Sequence, residues 1–379
     1  MNPVHSIPVM KVLFIATVVK THIMEFHIPY LKMFKDMGWE TAVAARNDYE
    51  DPADCVIPYC DHFYDIPFER NPFKPQNIIA CRQLRRIIDS EGYDIIHCHT
   101  PVGGVIGRLA SAGARRHGSK VFYTAHGFHF FKGSSPVNWI LYYPVERLFA
   151  RLTDVLITIN TEDYRTAGKF RAGRVEYTPG IGVDIDKFSA GSRTGAEEKR
   201  VELGIPQEAA VLLSVGEVNR NKNHRVVLEA LRDIESAWYV LCGSGPLLDD
   251  LKRLAAEYGI DDRVIFAGYR TDVADFYNMA DIFVFPSYRE GLPVALMEAM
   301  AAGLVCIASR NRGTDDLLPE SRLRFEASNV EELKQRIRTA MTEDCTEEVK
   351  RNREHLKKFD IRNVLELTKG LYMQALSSK

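Results

Sequence analysis

The sequence predicts an α/β protein of two Rossmann-like, doubly wound domains, and three observations carry that prediction. Short apolar runs alternate with amphipathic stretches throughout, the rhythm of strand–helix–strand units around a parallel sheet covered on both faces. The rhythm stops once and restarts, at "TPGIGVDIDKF" (Thr178–Phe188), where Pro179, Gly180 and Gly182 forbid a helix. The length, 379 residues, exceeds one typical domain and leaves each half enough chain for its own core.

In chain order, the first half places strands at "KVLFIAT" (11–17), "ETAVAA" (40–45), "DIIHCH" (94–99), "KVFYTA" (120–125), "DVLITI" (154–159) and "RVEYT" (174–178), with helices between. The second half repeats this with "AVLLSVG" (210–216), "WYVLCG" (238–243), "RVIFAG" (263–268), "DIFVFP" (281–286) and "LVCIAS" (304–309). The domains are therefore drawn at 10–180 and 188–359, with a Gly/Ser/Thr-containing polar stretch after the crossover. "KKFDIRNVLELTKGLYMQAL" (357–376) reads as an amphipathic helix, and residues 1–9 as an extension or an upstream start.

Composition excludes several function classes. With 49 basic against 51 acidic side chains and a net charge of −2, a wholesale nucleic-acid binder is not expected. The seven cysteines are odd in number and contain no Cys-x-x-Cys pair, which suits reduced thiols in the cytoplasm. The longest N-terminal apolar run, Val12–Val19, falls short of the roughly 20 residues a spanning helix needs, and no small-residue cleavage site follows it. "HCHT" offers His97, Cys98 and His99, but successive strand residues alternate faces, so no zinc site is expected.

Open parallel sheets bind ligands outside the carboxyl ends of their strands, which directs attention to the residues after each one. In "SYREGLPVALMEAMAAGLVCIAS" (Ser287–Ser309), Pro293 suits the first turn of a helix that ends at Gly303. The amides of Gly291, Leu292 and Val294 would then project from a helix N-terminus, a ready anion site. Glu290 precedes that helix and Glu298 lies more than a turn along it. Either acid alone has a plain reading, since a carboxylate at a helix N-terminus is worth ~0.3–1 kcal/mol as a dipole partner. Their company argues for more: "SVGEVNRNKNH" supplies Arg220 and Lys222, and "CGSGP" supplies Gly243 and Gly245. A lysine there would meet a diphosphate as a point charge, and glycines permit close backbone approach, although they also serve as simple turn residues. "GGVIG" (103–107) fails the dinucleotide fingerprint and reads as helix-to-sheet packing.

Taken together, these residues resemble family 4 of the nucleotide-sugar glycosyltransferases, retaining enzymes with the GT-B fold of two facing Rossmann-like domains and an interdomain cleft. The most specific mark is the Glu-x7-Glu signature, here Glu290 and Glu298 within "EGLPVALMEAMAAG"; "TAHG" (Thr124–Gly127) and "GVD…F" (Gly182–Phe188) support it over nearly the whole chain. "TAHGFHFFKG", "NWILYYPVERL", "LITINTEDY", "NKNH" and "SRNRGTDDLL" point within it to the bacterial branch that builds capsular and exopolysaccharide repeat units.

The resemblance implies that Glu290 faces the donor sugar and its leaving diphosphate, that Glu298 holds the ribose hydroxyls, and that Lys222 stabilises charge on the departing nucleoside diphosphate. It places His126 toward the reacting sugar or the acceptor, and Arg312 near the nucleotide. No cofactor is implied, because the nucleoside-diphosphate sugar, expected to be a UDP-sugar, is a substrate. No metal is implied either: Asp184 and Asp186 spell Asp-x-Asp, but in the crossover rather than after a nucleotide-binding strand, and turnover is expected to be metal-independent. Asp315 and Asp316 read as helix-start residues. One position departs from the family, since Glu217 stands where many members carry Arg, and Arg220 is the candidate substitute. The C-terminal helix, about 360–377, is expected to pack back on the first domain.

The acceptor side is read from charge. From Ile95 to Val145 there is no Asp or Glu, while Arg108, Arg115, Arg116, Lys120 and Lys132 share the window with Phe128, Phe130, Phe131, Trp139, Tyr142 and Tyr143. Much of the aromatic content must be core, and scattered arginines are ordinarily a solvated face. The sharper expectation is peripheral contact with an anionic membrane, where each basic residue contributes about 1 kcal/mol. That surface would admit a polyprenyl-diphosphate-linked or oligosaccharide acceptor, with His99, Arg115, Arg116 and Lys132 on the acceptor side. The expected reaction is hexosyl transfer with retention, by front-face departure, in cell-surface polysaccharide synthesis. Two rivals stand beside it: a GT-B-type UDP-sugar epimerase, which needs no acceptor, and a non-catalytic nucleotide-sugar-binding protein, which would lose nothing with Glu290→Ala.

Overall fold

Seven parallel strands form the sheet of the first unit: β1 (Lys11–Val18), β2 (Glu40–Arg46), β3 (His62–Asp65), β4 (Ile95–Cys98), β5 (Lys120–Ala125), β6 (Val155–Thr158) and β7 (Arg174–Tyr177). Their order is β3-β2-β1-β4-β5-β6-β7, a doubly wound sheet whose direction of winding reverses between β1 and β4. The computed structural model describes residues 9–189 and 193–378. The expected N-terminal extension, apart from Val9, and part of the polar stretch after the crossover lie outside them. The chain divides into two units, one reaching Ile181 and taking back Val364 onward, the other Gly182–Asn363.

Strand alternation sorts the first core into two layers. Leu13, Ile15, Ala42, Ala44, Ile96 and Cys98 pack on one face; Val12, Phe14, Ala16, Val43, Ala45 and Ile95 pack on the other. Helix Ile361–Ser377 covers the second of these faces, burying Val364, Leu371, Tyr372 and Ala375.

The second unit carries β8 (Ala210–Val215), β9 (Ala237–Cys242), β10 (Val264–Gly268), β11 (Ile282–Phe285), β12 (Val305–Ser309) and β13 (Arg324–Phe325). The order β10-β9-β8-β11-β12-β13 places its reversal between β8 and β11. Thus the loops after β8 and β11 share one end of one crevice. Two strands were not expected, β3 and β13. The first is a half-exposed edge strand, "HFYD", without an apolar run, and the second is two residues long.

The crossover meets its own unit: Val183 bridges Asp360 in parallel, and a Cβ on Gly182 would fall 2.6 Å from Ile361 Cα. Asp186 pairs with Arg362 at 3.0 Å, and Asp184 accepts from the Lys187 amide, so both acids of the Asp-x-Asp already have structural work.

The basic window of the first unit needs correction. Arg108 is fully buried: it donates to Glu146 Oε2 at 2.9 Å and to the Gly104 carbonyl at 2.8 Å, and stacks 3.9 Å over the Tyr123 ring. Tyr123 Oη donates to the other Glu146 oxygen at 3.1 Å. Arg115 is held by Asp154 at 2.9 Å. Neither is a free surface cation, because acids outside the counted window, Glu146 and Asp154, fold back onto them. Arg116 and Lys132 are exposed as expected. Among the described residues, no helix is long and apolar enough to cross a membrane.

Candidate active site

The loop after β8 is shaped by its asparagines. Asn219 Oδ1 accepts from the Lys222 amide at 3.0 Å, and Asn221 ties the loop to the one after β11 through the Arg289 carbonyl and the Tyr288 amide. Asn223 adopts φ 54°, a left-handed conformation Asn tolerates, and donates to the Pro286 and Ala327 carbonyls. Lys222 is thereby aimed across the β8–β11 reversal. Its Nζ donates to Glu290 Oε1 at 2.8 Å and lies 5.0 Å over the Phe285 ring. Both side chains are mostly sheltered, at 22% and 14% exposure.

Glu290 sits in the loop before helix Val294–Ala302, which ends at Gly303 with φ 83°. Pro293 is the N-cap of that helix and not a residue of its first turn, because its ψ of 114° is extended. The amides of Gly291 and Leu292 have no hydrogen-bond partner among the described residues, leaving two donors beside the Lys222–Glu290 pair. Arg312 braces the loop from behind, donating through Nε to the Glu290 carbonyl at 3.1 Å. Gly313 lets it approach: a Cβ there would fall 2.8 Å from the Gly291 carbonyl oxygen. Asn311 caps the short helix Arg312–Leu317, and Asp315, at the end of its first turn, pairs with Arg324.

Glu298 is positioned by a residue the sequence reading missed. Tyr277, fully buried on helix Val273–Met279, donates its hydroxyl to Glu298 Oε2 at 2.9 Å. Burial, reinforced by the neighbouring carboxylate, holds the Tyr277 phenol protonated well above its ordinary range. It is therefore a fixed donor.

Gly243 and Gly245 are required by the protein's own backbone. A Cβ on Gly243 would stand 1.9 Å from the Gly216 oxygen, and one on Gly245 would stand 2.5 Å from the Val218 oxygen. They let the loops after β8 and β9 pack flush, so the protein's own backbone already accounts for both glycines. Arg220 is exposed and makes no side-chain hydrogen bond or ion pair among the described residues, so it does not extend the Lys222 cluster here.

In the first unit, His126 follows β5, and its Nε2 faces His99 Nδ1 at 3.2 Å. Burial pushes the His126 imidazole down to about 4, so it is neutral at physiological pH. His99, expected toward an acceptor, is instead buried and stacked on Phe14. His97 shares its strand face and is satisfied at both nitrogens, by Tyr372 Oη at 2.5 Å and Thr124 Oγ1 at 2.8 Å. His22 and His27, which the sequence reading passed over, complete a cluster with His99 and His126. Of the run His97–Cys98–His99, only His99 belongs to that cluster.

Comparison with known proteins matches both halves of the chain. Residues 195–359 fit the family model described as glycosyl transferases group 1, and residues 11–160 the one described as glycosyl transferase 4-like. The chain is 44% identical over 314 residues to the Bacillus subtilis protein EpsD, described as a glycosyltransferase, covering 81% of each. It is 30% identical over 246 residues to a UDP-Gal:alpha-D-GlcNAc-diphosphoundecaprenol alpha-1,3-galactosyltransferase of Escherichia coli, covering 62% of each. Anabaena HepE in complex with UDP and glucose superposes with a TM-score of 0.79 over 96% of this chain and 100% of that one, at 18% identity. That likeness is one of fold, the GT-B architecture.

Proposed function

Because the chain belongs to the group 1 glycosyltransferases, we propose that it moves a hexosyl group from a UDP-sugar to a lipid-linked or oligosaccharide acceptor in polysaccharide synthesis, retaining the anomeric configuration. The observation that carries this reading is the Lys222–Glu290 pair at the β8–β11 reversal, beside the open amides of Gly291 and Leu292. As the anomeric C–O bond breaks, its electron pair stays on the diphosphate, and Lys222 with the two amides stabilises that charge. The acceptor hydroxyl attacks from the same face and passes its proton to a leaving phosphate oxygen, so no protein nucleophile is needed. Glu290 orients the sugar, and Glu298, steadied by Tyr277, takes the ribose hydroxyls. A divalent ion on the diphosphate has no role in this scheme, since the ammonium and the amides supply the positive potential.

UDP as the nucleotide and a polyprenyl diphosphate as the acceptor carrier are supported by what the relatives' names state they bind. A membrane-facing acceptor also suits the helix Pro136–Phe149 of the first unit. It exposes Val137, Ile140, Leu141 and Leu148, and its exposed charge is Arg147 alone, because Glu146 is buried. An apolar face flanked by Arg147 and Lys132 is the chemistry of an interfacial helix on anionic lipid.

Mass spectrometry of products from a UDP-sugar panel tests the reading, with a polyprenyl-diphosphate-sugar acceptor in anionic vesicles or in detergent. Hexose should appear on the acceptor only when both substrates are present. An isomerised UDP-sugar without acceptor would instead identify an epimerase, and binding without turnover a non-catalytic protein. Ile140→Asp with Leu141→Asp should cut vesicle-dependent transfer at least about tenfold and spare transfer in detergent. Equal transfer from vesicles by both proteins would remove the membrane contact.

A further inference from the structure

Four imidazoles of the first unit converge at the reversal between β1 and β4, the place where a doubly wound sheet offers a ligand crevice. His22 lies in the π-helical turn Val19–Ile23 after β1, His27 follows it, His99 leaves β4, and His126 leaves β5. One ring nitrogen of each can be chosen so that all lie within 4.8 Å of one another. His27, His99 and His126 also line a cavity of about 20 Å³, room for a single water or ion.

Hydrogen bonding accounts for one contact among them, His99 Nδ1 with His126 Nε2 at 3.2 Å, and leaves the rest unexplained. His22 Nε2, both nitrogens of His27 and His99 Nε2 are buried with no partner. Such atoms are rare in interiors, because a buried polar group left unpaired is destabilising. Their concentration at one point calls for a shared partner outside the chain. No carboxylate forms a salt bridge with any of the four among the described residues, so nothing draws the rings toward the imidazolium form. Desolvation, with neighbouring imidazoles adding to it, keeps His22, His27 and His99 neutral, with a lone pair available.

We propose that His22, His27, His99 and His126 form a binding site for one divalent late first-row transition-metal ion. An all-imidazole donor set suits zinc and its neighbours and disfavours magnesium or calcium, which take oxygen ligands. Tetrahedral zinc with Zn–N near 2.0–2.1 Å sets the nitrogens about 3.3 Å apart, so the most widely spaced of them need to close by up to about 1.5 Å. His97 is not a ligand, because Tyr372 and Thr124 occupy both of its nitrogens. All four histidines belong to the first unit and Lys222 to the second, and the inference does not depend on the transfer reading.

The test is metal content, not turnover. Tag-free full-length protein, stripped with chelator and re-equilibrated with Zn²⁺, should retain about one zinc per chain by elemental analysis after gel filtration. Co²⁺ should give the intense visible bands of a tetrahedral nitrogen site. His22→Ala and His27→Gln, checked for folding by circular dichroism, should each weaken zinc binding at least about tenfold. His62→Ala, on the edge strand, should not. No zinc retained by folded wild type, or equal retention by the His22 and His27 variants, would overturn the site and leave the cavity to water.

Discussion

Lys222→Ala should lower kcat for acceptor-dependent transfer by about 100- to 1,000-fold, the cost of removing one preorganised electrostatic stabiliser of developing charge. The ammonium is held in place before any donor arrives, by Glu290 at 2.8 Å, by Phe285 beneath it, and by the Asn219 and Asn221 contacts that shape its loop. Little reorganisation would therefore be needed when the diphosphate leaves. Lys222→Arg should rescue only part of the loss, since a planar fork does not reproduce a point charge in a site built around one. Glu290→Gln removes the partner and the sugar contact together and should cost kcat without abolishing UDP binding. Steady-state kinetics on the three variants check this; a Lys222→Ala enzyme within about threefold of wild-type kcat would contradict the role assigned to the lysine.

The largest effect on stability belongs to a residue far from that chemistry. Glu146→Ala would leave Arg108, fully buried, as an uncompensated guanidinium, and would strip Tyr123 Oη of its acceptor. Breaking one side of such a pair costs about 3–5 kcal/mol, whereas replacing both members with apolar side chains of similar volume is often neutral or stabilising. Urea unfolding followed by circular dichroism should show this loss in the transition of the first unit for Glu146→Ala, and recovery of most of it in Arg108→Met/Glu146→Leu. A loss below about 1 kcal/mol in the single variant would mean that the pair is solvated, contrary to its burial.

Much of this architecture was legible because parallel strands buried on both faces read as continuous apolar runs; of the eleven strands placed in order, only the edge strand β7, "RVEY", lacks that character. β3 and β13 escaped because an edge strand with polar alternation and a two-residue strand carry no such signal. The Glu290–Glu298 spacing and Lys222 were legible as local motifs. Their partners were not: Tyr277 reaches Glu298 across 21 positions, and Glu146 reaches Arg108 across 38. A charge count over one window cannot see a counter-ion that folds in from outside it, which is why Arg108 and Arg115 were misjudged. His22 and His27 were invisible for the same reason, since only the β1–β4 reversal brings them to His99 and His126. The glycines after β9 were legible in the sequence, while the Gly216 and Val218 carbonyls they accommodate were not.

Where a nucleoside diphosphate binds decides the role of the Lys222–Glu290 pair, and a crystal structure with UDP measures that directly. The expected result puts the diphosphate within hydrogen-bond distance of Lys222 Nζ and the Gly291 and Leu292 amides, with the ribose on Glu298. UDP seated away from the β8–β11 reversal, or Lys222 Nζ still paired with Glu290 and clear of the phosphates, would contradict it.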